Sequence, residues 1–261
     1  MNRNLIEKLL PLLEEKYLEY SRKEFFLETD PIQIPHRYTK KEDIEISGFI
    51  AATLAWGQRK TIINNASKWM AMMDDTPHDF ILNHQPSDLK RFKGFVHRTF
   101  NETDALTFVH ALQNLYQQHR GLEFTFASPG LPFAERLHRF RQLFFSVEHL
   151  SRTTKHVADP LAGSSAKRLC MYLRWMVRPA EKGTDFGIWK TISPADLYLP
   201  LDVHSGNVAR HLGLLSRTQN DWKAVTELTE NLRLFDSSDP CKYDYALFGL
   251  GAFDDYRTVS I

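Results

Sequence analysis

The sequence predicts an all-α protein built as two helical lobes around a cleft. Three observations carry this prediction. Apolar residues recur at i, i+3, i+4 and i+7 in one stretch after another. The alternation that marks a half-buried strand occurs in one short run only. The chain has 261 residues, 43% apolar and 25% charged, which is enough to bury a sizeable core. No internal repeat, low-complexity stretch or long linker divides it, so 1–261 is expected to form one helical protein.

Taken in order, Leu5, Ile6, Leu9, Leu10, Leu13 and Tyr17 alternate with Glu and Lys as an amphipathic helix. Ile46, Phe49, Ile50, Thr53, Leu54 and Gly57 mark the next. Leu106, Val109, His110, Leu112, Leu115 and Tyr116 mark another. Leu122, Phe124 and Phe126, interleaved with Glu123 and Thr125, form the one strand candidate. Phe133, Leu137, Phe140, Phe144 and Phe145 return to helical spacing. Ala166, Leu169, Cys170, Leu173, Met176 and Val177 give a very regular stripe. On that helix Lys167, Met171, Arg174, Trp175 and Arg178 fall on an edge away from the stripe. Trp222, Val225, Leu228, Leu232 and Phe235 close the series. Breaks are expected at Asn83 to Asp88, at Ser128-Pro129-Gly130 and from Pro179 to Gly187.

Composition excludes several classes. No apolar run approaches the roughly 20 residues that span a bilayer, and the N-terminus reads as a helix rather than a signal peptide. A cytoplasmic protein with no membrane partner is expected, nucleoid-associated if it binds DNA. Cys170 and Cys241 are too few for a four-thiolate zinc or iron–sulfur site, so no metal or other cofactor is expected. The net charge of +1 hides an asymmetry: from Arg136 to Arg178 nine Lys or Arg face two acids, Glu148 and Asp159. Such a block is either a solvated helix surface or the footprint of a phosphate-binding face. Arg174 and Arg178 are its candidates on the helix edge.

Two segments carry the chemistry. In Tyr198-Leu199-Pro200-Leu201-Asp202-Val203-His204-Ser205, Asp202 starts a helix that runs past Val208 and Leu212 and stops at Gly213. An Asp there can cap the helix. It can also present a carboxylate where a cation develops. His204 and Ser205, at the same helix start, suit a phosphate. Upstream, Asp159-Pro160-Leu161-Ala162-Gly163-Ser164-Ser165-Ala166-Lys167-Arg168 is a Pro-bounded turn feeding a helix. Its free N–H groups at Gly163, Ser164 and Ser165 favour an anion such as a DNA phosphate. The helix end and Arg168 favour a neutral, nucleophilic amine on Lys167.

These two segments resemble the helix-hairpin-helix DNA glycosylases, the endonuclease III and 8-oxoguanine glycosylase superfamily. Gly163 and Lys167 match the first glycine and the lysine of the hairpin Leu-Pro-Gly-x-Gly-x-Lys; Ala162 replaces the proline and Ser165 the second glycine. Pro200-Leu201-Asp202-Val203-His204 matches the run that carries the family's aspartate. Lys167 and Asp202 lie 35 residues apart, which resembles the archaeal 8-oxoguanine glycosylase branch. The added residues, Arg178 to Pro194, are expected to form a loop over the cleft. Ala51 to Lys60 resembles the family's early DNA-facing helix end, which implies that Trp56 stacks on an extruded base and Gln58 reads its edge or fills its gap. Asp239 to Gly251 resembles the late Leu-Gly element; Phe253-Asp254-Asp255 follows in place of cluster-binding cysteines. Over its whole length the chain resembles an uncharacterised bacterial family.

The resemblance implies a DNA repair glycosylase with lyase activity acting on double-stranded DNA with a damaged base, an oxidised purine such as 8-oxoguanine among the candidates. Lys167 would attack the sugar and Asp202 would assist, within a hairpin and catalytic segment at about 159–215. Gly163, Ser164, Ser165, Arg168, Arg174, Arg178, His204 and Ser205 would contact DNA. Two alternatives remain open. One is a DNA-binding module of the same fold without chemistry. The other is a metal-dependent hydrolase with a His78-Asp79 dyad and His36 and Asp104 as further ligands.

Overall fold

The computed structural model describes residues 3–22, 24 and 28–259, and these are mostly helical. The chain forms two compact units, one from Met1–Phe25 with Pro160–Ile261, the other from Phe26–Asp159. Helix α1 spans Arg3–Tyr20. The continuous unit holds α2 (Lys41–Leu54), α3 (Arg59–Met72), α4 (Pro77–Asn83), a hairpin of β1 (Val96–His97) and β2 (Phe100–Asn101), α5 (Glu102–Gln118), α6 (Leu122–Phe126) and α7 (Phe133–Phe144). The first unit resumes with α8 (Lys167–Val177), α9 (Val203–His211), α10 (Trp222–Arg233) and α11 (Tyr243–Ala252). Among the described residues no helix is long and apolar enough to cross a membrane.

In the continuous unit α2 is the central post, buried from Ile44 through Leu54. Its Phe49 meets Phe108, Phe140 and Phe144 from α5 and α7, with ring centroids 5.5–6.0 Å apart. Glu45 is buried on the same helix, and Tyr116 Oη donates to it at 2.6 Å, so the charge is not left bare. Helix α5 starts from a capping box, with Asn101 and Asp104 satisfying each other's backbone N–H.

The strand expected at Leu122–Phe126 is instead the short helix α6. Leu122, Glu123, Thr125 and Phe126 are all buried, so neither parity of the alternation faces water and the period of two loses its meaning. Gly121, at φ 88°, opens the turn; a Cβ there would stand 2.8 Å from the Tyr116 ring. The two short strands that do form flank Arg98-Thr99, where no alternation was visible.

In the discontinuous unit α1, α9 and α11 pack together around Leu9, Leu13, Val208, Leu212, Leu247 and Leu250. Two glycines of α11 permit this. A Cβ on Gly249 would lie 2.0 Å from the Tyr20 ring, and one on Gly251 would lie 2.9 Å from His204 O. The residues after α8 do not form a free loop. Phe186 and Trp189 donate backbone N–H groups to Trp175 O and Met176 O at 2.8 and 3.0 Å. Trp189 is buried edge-on against Tyr172. The Arg178–Pro194 segment is thus bound back onto the end of α8.

Candidate active site

The approach to α9 is fixed by burial. Leu199 and Leu201 are buried, and Leu199 N–H donates to Thr229 Oγ1 at 3.1 Å. This leaves Asp202 extended (φ −119°, ψ −172°) at the N-cap. Its two carboxylate oxygens have separate tasks. Oδ1 accepts from Ser205 N at 2.8 Å and from Ser205 Oγ at 2.9 Å. Ser205 Oγ lies 3.1 Å from Asp202 N and accepts from it, completing a capping box. Oδ2 accepts from Lys167 Nζ at 3.2 Å. The cap and the carboxylate beside the lysine, alternatives in the sequence, coexist in one residue.

Lys167 is the first residue of α8. The preceding turn is held by Gly163 N–H donating to Pro160 O at 2.9 Å and Ala166 N–H donating to Ser164 Oγ at 3.2 Å. Gly163 sits at φ 88° and Ala166 at φ 47°, both left-handed; for alanine that conformation costs about 1–2 kcal/mol. Trp222 N–H donates to Gly163 O at 3.2 Å, which ties the turn to the start of α10. Gly163 and Ser164 are exposed; Ser165 and Arg168 are half-buried. Burial lowers the Arg168 guanidinium to about 10, so it stays charged at neutral pH.

The Lys167 side chain is 40% exposed and that of Asp202 is 12% exposed. Burial alone would raise the Asp202 carboxyl. The charge of Lys167 and the hydrogen bonds from Ser205 and Lys167 outweigh it and hold Asp202 below its ordinary value. The site therefore presents a fixed carboxylate, one oxygen of which meets an accessible lysine amine.

Behind the pair lies a buried ionic network that the sequence did not announce. Arg174 binds Asp244, and Arg178 binds Asp185 at 2.5 Å and Asp239 at 2.7 Å. Tyr245 lies under both guanidinium groups, 4.2 and 5.5 Å from its ring centre. Burial pushes the Asp244 carboxyl up to about 6 against the pull of Arg174, and the charges of Asp202 and Lys167 also act on it. Asp244 was visible only as part of the late Asp239–Gly251 motif.

This network corrects the expected DNA contacts. Arg174 and Arg178 are 6% and 3% exposed and neutralised by carboxylates, so neither offers a phosphate a free face. The helix edge they share with Lys167 is covered because Asp185, close in sequence, and Asp239 and Asp244, distant in sequence, fold onto it. Ser205 is fully buried and its hydroxyl is committed to Asp202, so it does not face a phosphate either. His204 is exposed, with Nδ1 3.0 Å from Gly251 O, and lies off the buried face of Val208 and Leu212.

Trp56 and Gln58 belong to the continuous unit. Trp56 is half-buried beside His97 and His156 (centroids 5.9 and 6.2 Å), with the Arg98 guanidinium 5.1 Å from its ring centre. Gln58 is exposed and precedes α3 without a side-chain capping bond. The His-Asp arrangement is not assembled. His78 Nδ1 pairs with Lys40 Nζ at 2.9 Å, and Asp79 accepts from Asn83 at 2.8 Å. Asp104 is buried, accepting from Thr153 Oγ1 at 2.7 Å and Arg152 at 2.9 Å. Among the described residues no group of three or more His, Cys, Asp or Glu could hold a metal ion.

A predominantly helical protein with a lysine held against a helix-capping aspartate is the class these observations define. The chain belongs to the DUF2400 family, described as a protein of unknown function, whose match covers residues 30–253 and so includes Lys167, Asp202 and Asp244. No curated protein and no solved structure matches the chain.

Proposed function

We propose that the protein is a helix-hairpin-helix-type DNA glycosylase with lyase activity. The observation that carries the reading is the 3.2 Å contact between Lys167 Nζ and Asp202 Oδ2 across 35 residues of sequence, with Asp202 held by its capping box. The resemblance of both segments to that superfamily supports it.

In this reading Lys167 Nζ forms a bond to C1′ of an extruded nucleotide, and the glycosidic bond breaks with its electron pair leaving on the damaged base. Asp202 Oδ2 is charged as the base departs and stabilises the cationic sugar; once Nζ has bonded to C1′, it takes the proton that the amine must lose. The departing base takes its proton from water. The sugar ring opens to a protonated imine on Lys167 as O4′ takes the proton that Asp202 holds, a proton is then lost from C2′, and the 3′ phosphate is expelled. The exposed turn Gly163-Ser164 and Arg168 hold the flanking backbone. Because Oδ1 is bound twice to Ser205, Oδ2 keeps its aim while Lys167 moves.

A panel of duplexes carrying single lesions, an oxidised purine among them, tests this by release of free base and by strand cleavage. Wild type is expected to act on at least one lesion. Lys167→Gln and Asp202→Asn are each expected to lower excision by roughly 100-fold or more, the usual scale for a lost catalytic group. Duplex binding without excision of any lesion would assign the hairpin to a non-catalytic DNA-binding module.

A further inference from the structure

A second site lies in the continuous unit, built only from α5, α6, α7 and the turns that join them. It is a cavity of about 310 Å³ whose walls include His119, Arg120, Thr125, Ser128 and Arg139, with Phe124 at one side. No carboxylate stands among the lining residues. Arg139 is exposed on α7 and makes no ion pair or side-chain hydrogen bond among the described residues. The Arg120 guanidinium lies 3.8 Å from the centre of the Phe124 ring, which holds it by its flat face and leaves its N–H edge for a ligand. Arg120 adopts the left-handed region at φ 62°, rare for a residue with a side chain.

The residue that points to a ligand is Ser128. It is 7% exposed, yet its hydroxyl has no hydrogen-bond partner among the described residues and it lines the cavity. Its neighbour Thr125, 3% exposed, is satisfied by donating to Leu122 O at 2.8 Å. A hydroxyl that opens on a cavity keeps its bonding capacity for water or a ligand. One left open beside three basic side chains matches a group that accepts several hydrogen bonds and carries negative charge. Phosphate has this character, and planar guanidinium edges suit its oxygens.

We propose that this cavity is a phosphate-binding site, held by Arg120, Arg139 and the Ser128 hydroxyl, with His119 in its wall. The phosphate comes from a DNA backbone or from a free nucleotide. The proposal is independent of the chemistry assigned to Lys167 and Asp202.

Binding by the full chain to three probes at low salt tests it: inorganic phosphate, thymidine 5′-monophosphate and an undamaged duplex. The readout is chemical-shift change at Ser128 and Arg139 together with calorimetry. Saturable binding of phosphate and the mononucleotide is expected if the source is a free nucleotide, and of the duplex alone if it is a backbone. In either case Arg139→Ala and Arg120→Ala each weaken it roughly tenfold, the scale of a lost charge-assisted hydrogen bond. Ser128→Ala weakens it less. Failure of all three probes to shift these residues overturns the proposal. So does binding that Arg139→Ala and Arg120→Ala leave intact in variants whose unfolding midpoint matches wild type. Neither result bears on base excision, which is read separately.

Discussion

Asp202 joins a helix cap and an ion pair in one side chain. Its Oδ1 closes the cap of α9 while its Oδ2 meets Lys167. Asn keeps the capping oxygen, so Asp202→Asn is expected to cost less than about 1 kcal/mol of stability at neutral pH, since the lost pair is with a partly exposed, screened lysine. The folded carboxyl is held below its unfolded value of about 3.9. Its contribution is therefore present above that pH and is lost as pH falls through the depressed folded value. Urea midpoints compared at neutral pH and at a pH below the depressed folded value are expected to differ between wild type and Asp202→Asn at neutral pH and to converge in acid. A gap that persists in acid would place the effect on packing rather than charge. Of the residues at this pair, Lys167 and Asp202 were legible from their motifs. The role of Ser205 was not, because a serine three residues after an aspartate reads equally as an anion ligand and as half of a capping box.

Among the elements, α8 carries both the clearest success and the clearest failure of sequence reading. The stripe Leu169, Cys170, Leu173, Met176 and Val177 is buried as its spacing requires. The opposite edge is buried too, because Asp185, Asp239 and Asp244 close over Arg174 and Arg178. Periodicity describes one helix and is silent on which distant carboxylates fold onto it. Helix α6 failed similarly: alternation at Leu122–Phe126 has no solvent face to report. The network makes a firm prediction. Arg178→Met removes one partner and leaves Asp185 and Asp239 short of a cation, a defect expected to cost about 3–5 kcal/mol in urea unfolding. Arg139→Ala, on an exposed side chain, is expected to stay within about 0.5 kcal/mol. Equal effects would mean that the network contributes no more than surface charge.

At the scale of the whole molecule, the basic stretch from Arg136 to Arg178 is not a block of free charge. It is divided between the two units, and several of its members are already bound. Arg141 donates to Val157 O at 3.0 Å, Arg152 meets Asp104 at 2.9 Å, and Arg174 and Arg178 lie in the buried network. Local net charge was legible; its distribution was not, because it depends on where the acids fold. The salt dependence of duplex binding is therefore expected to be unaffected by Arg178→Met when read on the folded protein. A loss of about 0.9 in the slope of log K against log salt, one phosphate contact, would return Arg178 to the interface. The helical class was legible in full, since repeated amphipathic spacing and scarce alternation are properties of the chain itself.

The central claim is that Lys167 is a nucleophile whose proton Asp202 accepts. Borohydride reduction during reaction with lesion-bearing duplex, followed by peptide mass mapping of the trapped complex, tests it most directly. The account predicts a single adduct on Lys167, absent in Lys167→Gln and much slower to form in Asp202→Asn. An adduct on another lysine, or one that forms equally fast in Asp202→Asn, would contradict it.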